Sequence, residues 1–280
     1  YINIIRGVDK MSVNNINTTL CIGKKEYIIE KTYDMSGQKK VYKVKDENED
    51  NYIIKVLQFN EIGDTRRFWQ EIEVLQSIDS PNFAKIYYKD IDLDKKEYRV
   101  IEEYIDGKTL REDITAYKGN ELNCITLFKK LILGLQNLWE KNIVHRDLKP
   151  ENIIIKTDGN PVILDLGIAK KLYSSNSITL TNERMPLSNN YCAPEQYKNE
   201  DFLISIRTDF FVLGIVLSEI YTGIHPFKAT DGKIDILGEY NKTDSVKLNK
   251  FIKKLLAKEP FNRFRTEKLI LDYIEREWNI

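Results

Sequence analysis

The sequence predicts an α+β chain of two lobes, a small strand-rich first part with one helix and a larger helical remainder. Three observations carry this. Short apolar runs broken by turn chemistry fill residues 27–57, helical spacing governs the chain from residue 124 onward, and Asp106-Gly107 interrupts the sequence between the two patterns.

Taken in order, residues 1–26 are polar and asparagine-rich with brief apolar alternation at 2–5 and 13–22, and read as an N-terminal extension of unknown structure. The domain proper is expected over 27–280, with lobes at 27–105 and 106–280. Strand-like runs at 27–33, 41–44 and 52–57 are separated by Asp34-Met35-Ser36-Gly37 and by a charged turn at 46–51. Residues 65–78 then read as a helix, because Phe68, Ile72 and Leu75 fall at i, i+4 and i+7 on one face. Two further strands are expected at 84–89 and 98–104, giving a mainly antiparallel sheet. Helices are expected at 124–141, 209–221, 245–256 and 266–278.

Composition narrows the class without choosing a partner. Of 280 residues, 42% are apolar and 31% charged, as in an ordinary globular protein. Lysine plus arginine equals aspartate plus glutamate at 43 each, so no overall field draws the chain toward nucleic acid or an anionic membrane. Cys21, Cys124 and Cys192 are scattered and odd in number, which suits reduced thiols in the cytoplasm better than a disulfide framework. No apolar stretch approaches the roughly 18–20 residues needed to cross a bilayer. The sequence opens on Tyr1 rather than Met and reads as an excerpt, which leaves room for a signal or membrane anchor outside it.

The most specific signal is the unbroken run His145-Arg146-Asp147-Leu148-Lys149-Pro150-Glu151-Asn152. It resembles the catalytic loop of eukaryotic-type (Hanks-type) serine/threonine protein kinases, over a length that a charged surface loop does not reproduce by chance. The resemblance extends over about residues 27–278 and implies the bilobal protein-kinase-like fold, with MgATP bound in the cleft between the lobes. It implies that Asp147 orients the acceptor hydroxyl and takes its proton, while Lys149 neutralises charge on the transferring phosphoryl group. Lysine two places after the aspartate looks like the serine/threonine branch rather than the tyrosine-specific one.

A metal pair is suggested by strand geometry. Asn152-Ile-Ile-Ile-Lys156 and Pro161-Val-Ile-Leu-Asp165 flank Thr157-Asp158-Gly159-Asn160, and Asp-Gly between apolar runs signals a two-residue hairpin turn. That register sets Asn152 opposite Asp165, about 5 Å apart at the backbone. An amide oxygen and a carboxylate beside polyphosphate suit Mg²⁺, with Mn²⁺ an alternative. Asp165-Leu166-Gly167 departs from the family's Asp-Phe-Gly while keeping an apolar middle residue.

Lys55 ends Tyr52-Ile53-Ile54-Lys55, which resembles the strand whose lysine holds the first ATP phosphates. Its expected partner is Glu71, which shares the apolar stripe of Phe68 and Leu75, whereas Glu73 points about 160° away. The resemblance further implies ATP contacts from Gly37, Val41, Ile53 and Ile154, and adenine hydrogen bonds to the backbone at Glu103 and Ile105. Tyr191-Cys192-Ala193-Pro194-Glu195 resembles the end of an activation segment, Arg263 the arginine that pairs with that glutamate, and Asp209 with Gly214 the helix that braces the catalytic loop. Asp209 reads equally well as a plain N-cap. Ser188 keeps the hydroxyl expected to bridge Asp147 and Lys149. Arg146 is placed to hold a phosphate on a segment that offers Ser174, Ser175, Ser177, Thr179 and Thr181.

The pattern fails at the phosphate-covering loop. Asp34, Ser36 and Lys39 stand where the family has glycines that let backbone amides approach phosphate. Ile53 replaces an alanine over the adenine, and Glu102 guards the back of the nucleotide pocket. These departures predict weaker or altered ATP binding. The expected activity is transfer of the γ-phosphate of MgATP to serine and threonine hydroxyls of protein substrates, the chain's own activation segment included. The alternatives are a pseudokinase acting as a signalling scaffold and a small-molecule phosphotransferase. No nucleic acid and no membrane partner are expected for this chain.

Overall fold

The computed structural model describes residues 19–34, 39–58, 69, 72–73, 76–78, 80–164, 170–171, 190–230 and 233–280. The chain divides into two compact units, one of Tyr1–Gln58 with Tyr88–Glu102 and one of Phe59–Tyr87 with Glu103–Ile280.

The first unit is a six-stranded sheet of β1 (Thr19–Ile22), β2 (Lys25–Asp34), β3 (Lys39–Lys45), β4 (Asn51–Gln58), β5 (Ile86–Asp92) and β6 (Glu97–Glu103), in the order β1-β2-β3-β4-β6-β5. The sheet reaches back to Thr19, inside the segment read from sequence as an extension. β1 pairs antiparallel with β2, Ile22 opposite Lys25, and Gly23 supplies the positive φ of +60° that the tight turn needs. β2, β3 and β4 continue as an antiparallel meander, with Tyr42 opposite Ile54 and Val44 opposite Tyr52. Because side chains alternate across a strand, Tyr42, Val44, Tyr52, Ile54 and Val56 share one face and pack with Ile22, Tyr27 and Ile101. The opposite face carries Val41, Lys43, Ile53 and Lys55, with Val41 directly across from Lys55.

In the second unit the Asn82 carbonyl accepts the Ile163 N–H at 2.7 Å, and Asn82 Nδ2 donates to the Pro161 carbonyl at 2.9 Å. β7 (Gly107–Thr109) joins β9 (Ile153–Lys156) and β10 (Pro161–Ile163) in the order β10-β9-β7, and β8 (Ile143–Val144) pairs with β11 (Lys170–Lys171). At Gly107 a Cβ would meet the Ile155 carbonyl oxygen at 2.4 Å, so only glycine lets these strands close. The helices are α1 (Glu121–Trp139), a short α2 (Pro194–Tyr197), α3 (Ile206–Thr222), α4 (Val246–Leu255) and α5 (Glu267–Trp278). Asn120 caps α1 through the Asn123 N–H, and Gly223 ends α3 in the left-handed conformation. α3 is buried from Thr208 to Tyr221, so it reads as apolar all round rather than striped.

Two expectations are corrected here. The hairpin from β9 to β10 is closed by Lys156 opposite Asn160, which leaves three residues at its tip, Thr157-Asp158-Gly159, rather than two. Gly159 N–H bonds to Lys156 O at 2.8 Å, Lys156 N–H to Asn160 O at 3.0 Å, and Gly159 takes a φ of +72°. A type I turn followed by a left-handed glycine is the three-residue alternative to the tight Asp-Gly turn, and it shifts the register by one. Ile163 therefore pairs with Ile153, and Leu164, not Asp165, donates to Asn152 O at 2.8 Å. The second correction concerns Asp209, which is not an N-cap. Ser205 precedes the helix, and Asp209 is in the first turn with its side chain committed elsewhere.

The end of the second unit is held by a buried ion pair. Arg263 Nη1 and Nη2 donate to the two Glu195 oxygens at 2.7 and 2.8 Å, and Thr208 Oγ1 adds a bond to Glu195 at 2.8 Å. The remaining guanidinium hydrogens go to the carbonyls of Ala257, Lys258 and Arg207. Every polar group of the pair is thus satisfied, which is the condition under which a buried pair stabilises rather than costs. Arg263→Met is expected to strand the Glu195 charge and to cost about 3–5 kcal/mol in urea unfolding, whereas a substitution of the exposed Arg265 is expected to change stability by about 0.5 kcal/mol or less.

Candidate active site

The catalytic-loop run leaves β8 and enters a 3₁₀ turn at Pro150–Asn152. Three anchors hold it. Leu148 is fully buried in the main core. Asp209, from the first turn of α3, accepts the His145 and Arg146 backbone N–H groups at 2.9 Å each and the Trp139 indole N–H at 2.8 Å. Gln196 of α2 donates to the Arg146 carbonyl at 3.0 Å. These bonds maintain Arg146 at a φ of +69°, a conformation a non-glycine residue adopts only when its surroundings impose it. Burial pushes the Asp209 carboxyl upward, and the His145 ring and the three N–H donors pull it back.

Within the loop, Asn152 Nδ2 donates to the Asp147 carbonyl at 2.9 Å and to Asp147 Oδ2 at 3.0 Å. Lys149 Nζ is 3.6 Å from the same Oδ2. The sequence-predicted base, cation and amide ligand are therefore assembled on one carboxylate. With its nitrogen turned toward Asp147, the Asn152 side chain is left with its amide oxygen as the group to offer a metal. The other expected ligand, Asp165, lies outside the described residues, as do Gly37, Glu71, Ser188, Ser174, Ser175, Ser177, Thr179 and Thr181. Among the described residues no group of three or more His, Cys, Asp or Glu could hold a metal ion.

Arg146 itself is buried, and its Nε and Nη1 have no hydrogen-bond partner among the described residues, while Nη2 stands 3.7 Å from Asp201. Burial holds the Arg146 guanidinium below its ordinary value.

The nucleotide-side residues fall in both units. In the first, Val41, Ile53 and Lys55 share one face of β3–β4. Lys55 Nζ meets Glu102 of β6 at 2.6 Å, both side chains less than a tenth exposed. Strand parity explains the encounter: β4 and β6 are neighbours, and Glu102 alternates with the core-facing Ile101. From sequence Glu102 was expected to guard the back of the nucleotide pocket, and the expected partner of Lys55, Glu71, lies outside the described residues. In the second unit, Ile105 and Ile154 belong to one apolar cluster with Ala84 and Val162. The Glu103 N–H donates to the Lys85 carbonyl at 2.8 Å.

Three supporting residues were not singled out from sequence. Asn82 lies in the turn-forming Ser80-Pro81-Asn82, and that chemistry was the available signal. Gln196 and Arg111 carry no local signature, because their partners are 50 and up to 108 residues away in the chain.

Comparison with known proteins agrees with this arrangement. The family model described as protein kinase domain matches residues 36–274. The chain is 32% identical over 265 residues to serine/threonine-protein kinase PrkC of Bacillus subtilis, covering 88% of this chain and 40% of that protein. It is 32% identical over 269 residues to a probable serine/threonine-protein kinase of Clostridium acetobutylicum, covering 90% and 40%. It is 29% identical over 269 residues to the plant kinase AtPK1/AtPK6 of Arabidopsis thaliana, covering 86% and 52%. The chain thus spans about two-fifths of the length of the bacterial relatives it resembles. With the loop geometry above, a family match over most of the chain establishes that it belongs to the protein kinase domain family and has that family's bilobal α+β fold.

Proposed function

We propose that the chain transfers the terminal phosphate of MgATP to serine and threonine hydroxyls of protein substrates, its own activation segment among them. The observation that carries this is the single carboxylate of Asp147 held by Asn152 and faced by Lys149. A hydroxyl set against Asp147 has a proton acceptor in place, and the Lys149 cation offsets the charge that builds on the phosphoryl oxygens. Lys55 supplies a second cation for phosphate, and the Asn152 amide oxygen with the Asp165 carboxylate would hold the divalent ion. That oxygen-only donor set fits magnesium, and manganese by the same chemistry. When bound, the ion neutralises phosphate charge and aligns the chain of oxygens for in-line transfer. The names of the relatives, all serine/threonine-protein kinases, support the choice of acceptor.

Regulation follows from Arg146. A buried guanidinium with two unbonded nitrogens is costly until an anion reaches it, and a phosphate on the serine- and threonine-rich segment 174–181 has the required charge and oxygens. For location we propose a reducing, cytoplasmic setting. Cys124 and Cys192 are buried thiols outside any disulfide, and burial pushes both up to about 12, which suits packing rather than redox chemistry. No helix among the described residues is long and apolar enough to cross a membrane.

Incubation with ATP and magnesium followed by intact-mass measurement is expected to add phosphate to the wild-type chain or a generic acceptor, and Asp147→Asn is expected to add none; wild type and variant alike adding none returns the scaffold reading. Because Glu102 competes with phosphate for Lys55, Glu102→Gln is expected to tighten ATP binding about tenfold in a nucleotide titration while lowering stability by about 3–5 kcal/mol. Lys55→Met is expected to weaken ATP binding in the same titration. Phosphatase treatment is expected to lower wild-type activity and to leave Arg146→Gln unaffected.

A further inference from the structure

Charge on this chain is balanced in sum and segregated in place. From Val246 to Leu255, α4 carries four lysines and no aspartate or glutamate. With about 100° between successive helical residues, Lys247, Lys250, Lys253 and Lys254 fall on one arc of about 120°, opposite the buried Leu248, Phe251, Ile252 and Leu255. Lys250, Lys253 and Lys254 are exposed, and none of the three forms an ion pair among the described residues. Lys247 differs, since its ammonium lies over the Trp278 ring at 4.6 Å. Like charges three and four residues apart repel, and a surface helix ordinarily offsets them with interleaved acids. The helix dipole favours Lys253 and Lys254 in the last turn, but a partial charge leaves the stripe positive.

The opposite charge is gathered in the turn that joins β3 to β4, where Asp46, Glu47, Glu49 and Asp50 occur without a base among them. Asp46 is buried and pins this turn. Its Oδ1 accepts the Asn48 and Asp50 N–H groups at 2.9 and 3.0 Å, and its own N–H reaches the Asp50 carbonyl at 3.1 Å. Glu47, Glu49 and Asp50 are left exposed at the tip. Lys45 touches Glu49 at 2.9 Å, yet the Glu49 side chain remains 74% exposed. Three exposed acids on a fixed turn thus match three exposed lysines spread over about 6 Å of helix axis. No ion pair joins the two segments among the described residues, so within one chain neither neutralises the other.

We infer that the outer face of α4 is a docking surface for a second copy of this chain, whose β3–β4 turn sets Glu47, Glu49 and Asp50 against Lys250, Lys253 and Lys254. The turn is held in shape before contact, so little ordering is required of it. A nucleic acid or an anionic bilayer fits less well. The formal net charge of zero gives no long-range field toward either. α5 also packs beside α4, with Tyr273 stacked on Phe251 at 5.1 Å, and it carries four acids against two bases. A broad polyanion laid on α4 meets those acids, whereas a small turn reaches the lysines alone. Exposed ion pairs steer and orient more than they bind, so the contact is weak and sensitive to salt. None of this depends on the phosphotransfer proposed above.

The test uses charge reversal on the whole chain, read by sedimentation equilibrium at about 20 mM and about 0.5 M salt. Wild type is expected to self-associate at the lower salt and to return to monomer at the higher. Lys250→Glu with Lys254→Glu, and separately Glu47→Lys with Asp50→Lys, are each expected to weaken association about tenfold. An equimolar mixture of the two variants is expected to recover it, because the acidic turn of one then meets the lysines of the other. Carbodiimide coupling of an equal mixture of ¹⁴N- and ¹⁵N-labelled wild type is expected to join residues 250–254 to residues 47–50 in peptides of mixed isotope. A wild type that is monomeric at both salts, reversals without effect, a mixture no better than its components, or cross-links of one isotope only overturns the inference. So does a monomer that instead binds phosphatidylserine vesicles, duplex DNA or polyglutamate through the same lysines. Should the lysine reversals not fold, Lys250→Gln with Lys254→Gln replaces them for the loss of association, and the isotope-mixed cross-link decides.

Discussion

One buried carboxylate organises the second unit. Asp209 is fully enclosed, and a charge in that position is tolerable only if it is richly hydrogen-bonded. It is: two consecutive backbone amides of the catalytic loop and the Trp139 indole all point at it. The same bonds hold Arg146 in a left-handed conformation that the chain does not choose for itself. The helix α3 thereby sets the path of the loop, and the path sets where Asp147, Lys149 and Asn152 project. Gly214 contributes from the same helix, since a Cβ there would meet Leu255 Cβ at 2.8 Å and push α3 away from α4.

The remaining buried charges fall into two kinds, and the difference is functional. Glu195–Arg263 is saturated on every polar atom and serves the fold alone. Lys55 is paired with Glu102 at 2.6 Å, and Arg146 keeps Nε and Nη1 without a hydrogen-bond partner among the described residues. Under the function proposed above, these are the two buried cations that a phosphate would engage. Under the function proposed above, the lack of glycine at Asp34, Ser36 and Lys39 and the Glu102 carboxylate beside Lys55 would both bear on ATP binding.

Residue chemistry in contiguous runs was fully legible. The eight-residue catalytic loop, the Tyr191–Glu195 stretch and Lys55 at a strand end were enough to point to the family. Periodicity likewise located the expected strands between residues 25 and 104 and the helices from residue 121 onward to within a few residues, because patterning at 2.0 and 3.6 residues is a local property, while the helix expected at 65–78 lies largely outside the described residues. The hairpin between β9 and β10 shows where local reading stops. Asp-Gly is compatible with both a two-residue and a three-residue loop, and the strand pairing, not the dipeptide, chose the longer one.

By itself, then, the sequence determined which chemical groups the chain carries and the order in which they occur, since these follow from side-chain type and short-range spacing. Tertiary structure decided which groups meet. Glu102 became the neighbour of Lys55 through strand adjacency, Asp209 took the brace and not the cap of its two sequence readings, and Arg111 found partners as far as 108 residues along the chain. Such pairings depend on how buried charges are satisfied across distant segments, and no local pattern encodes that.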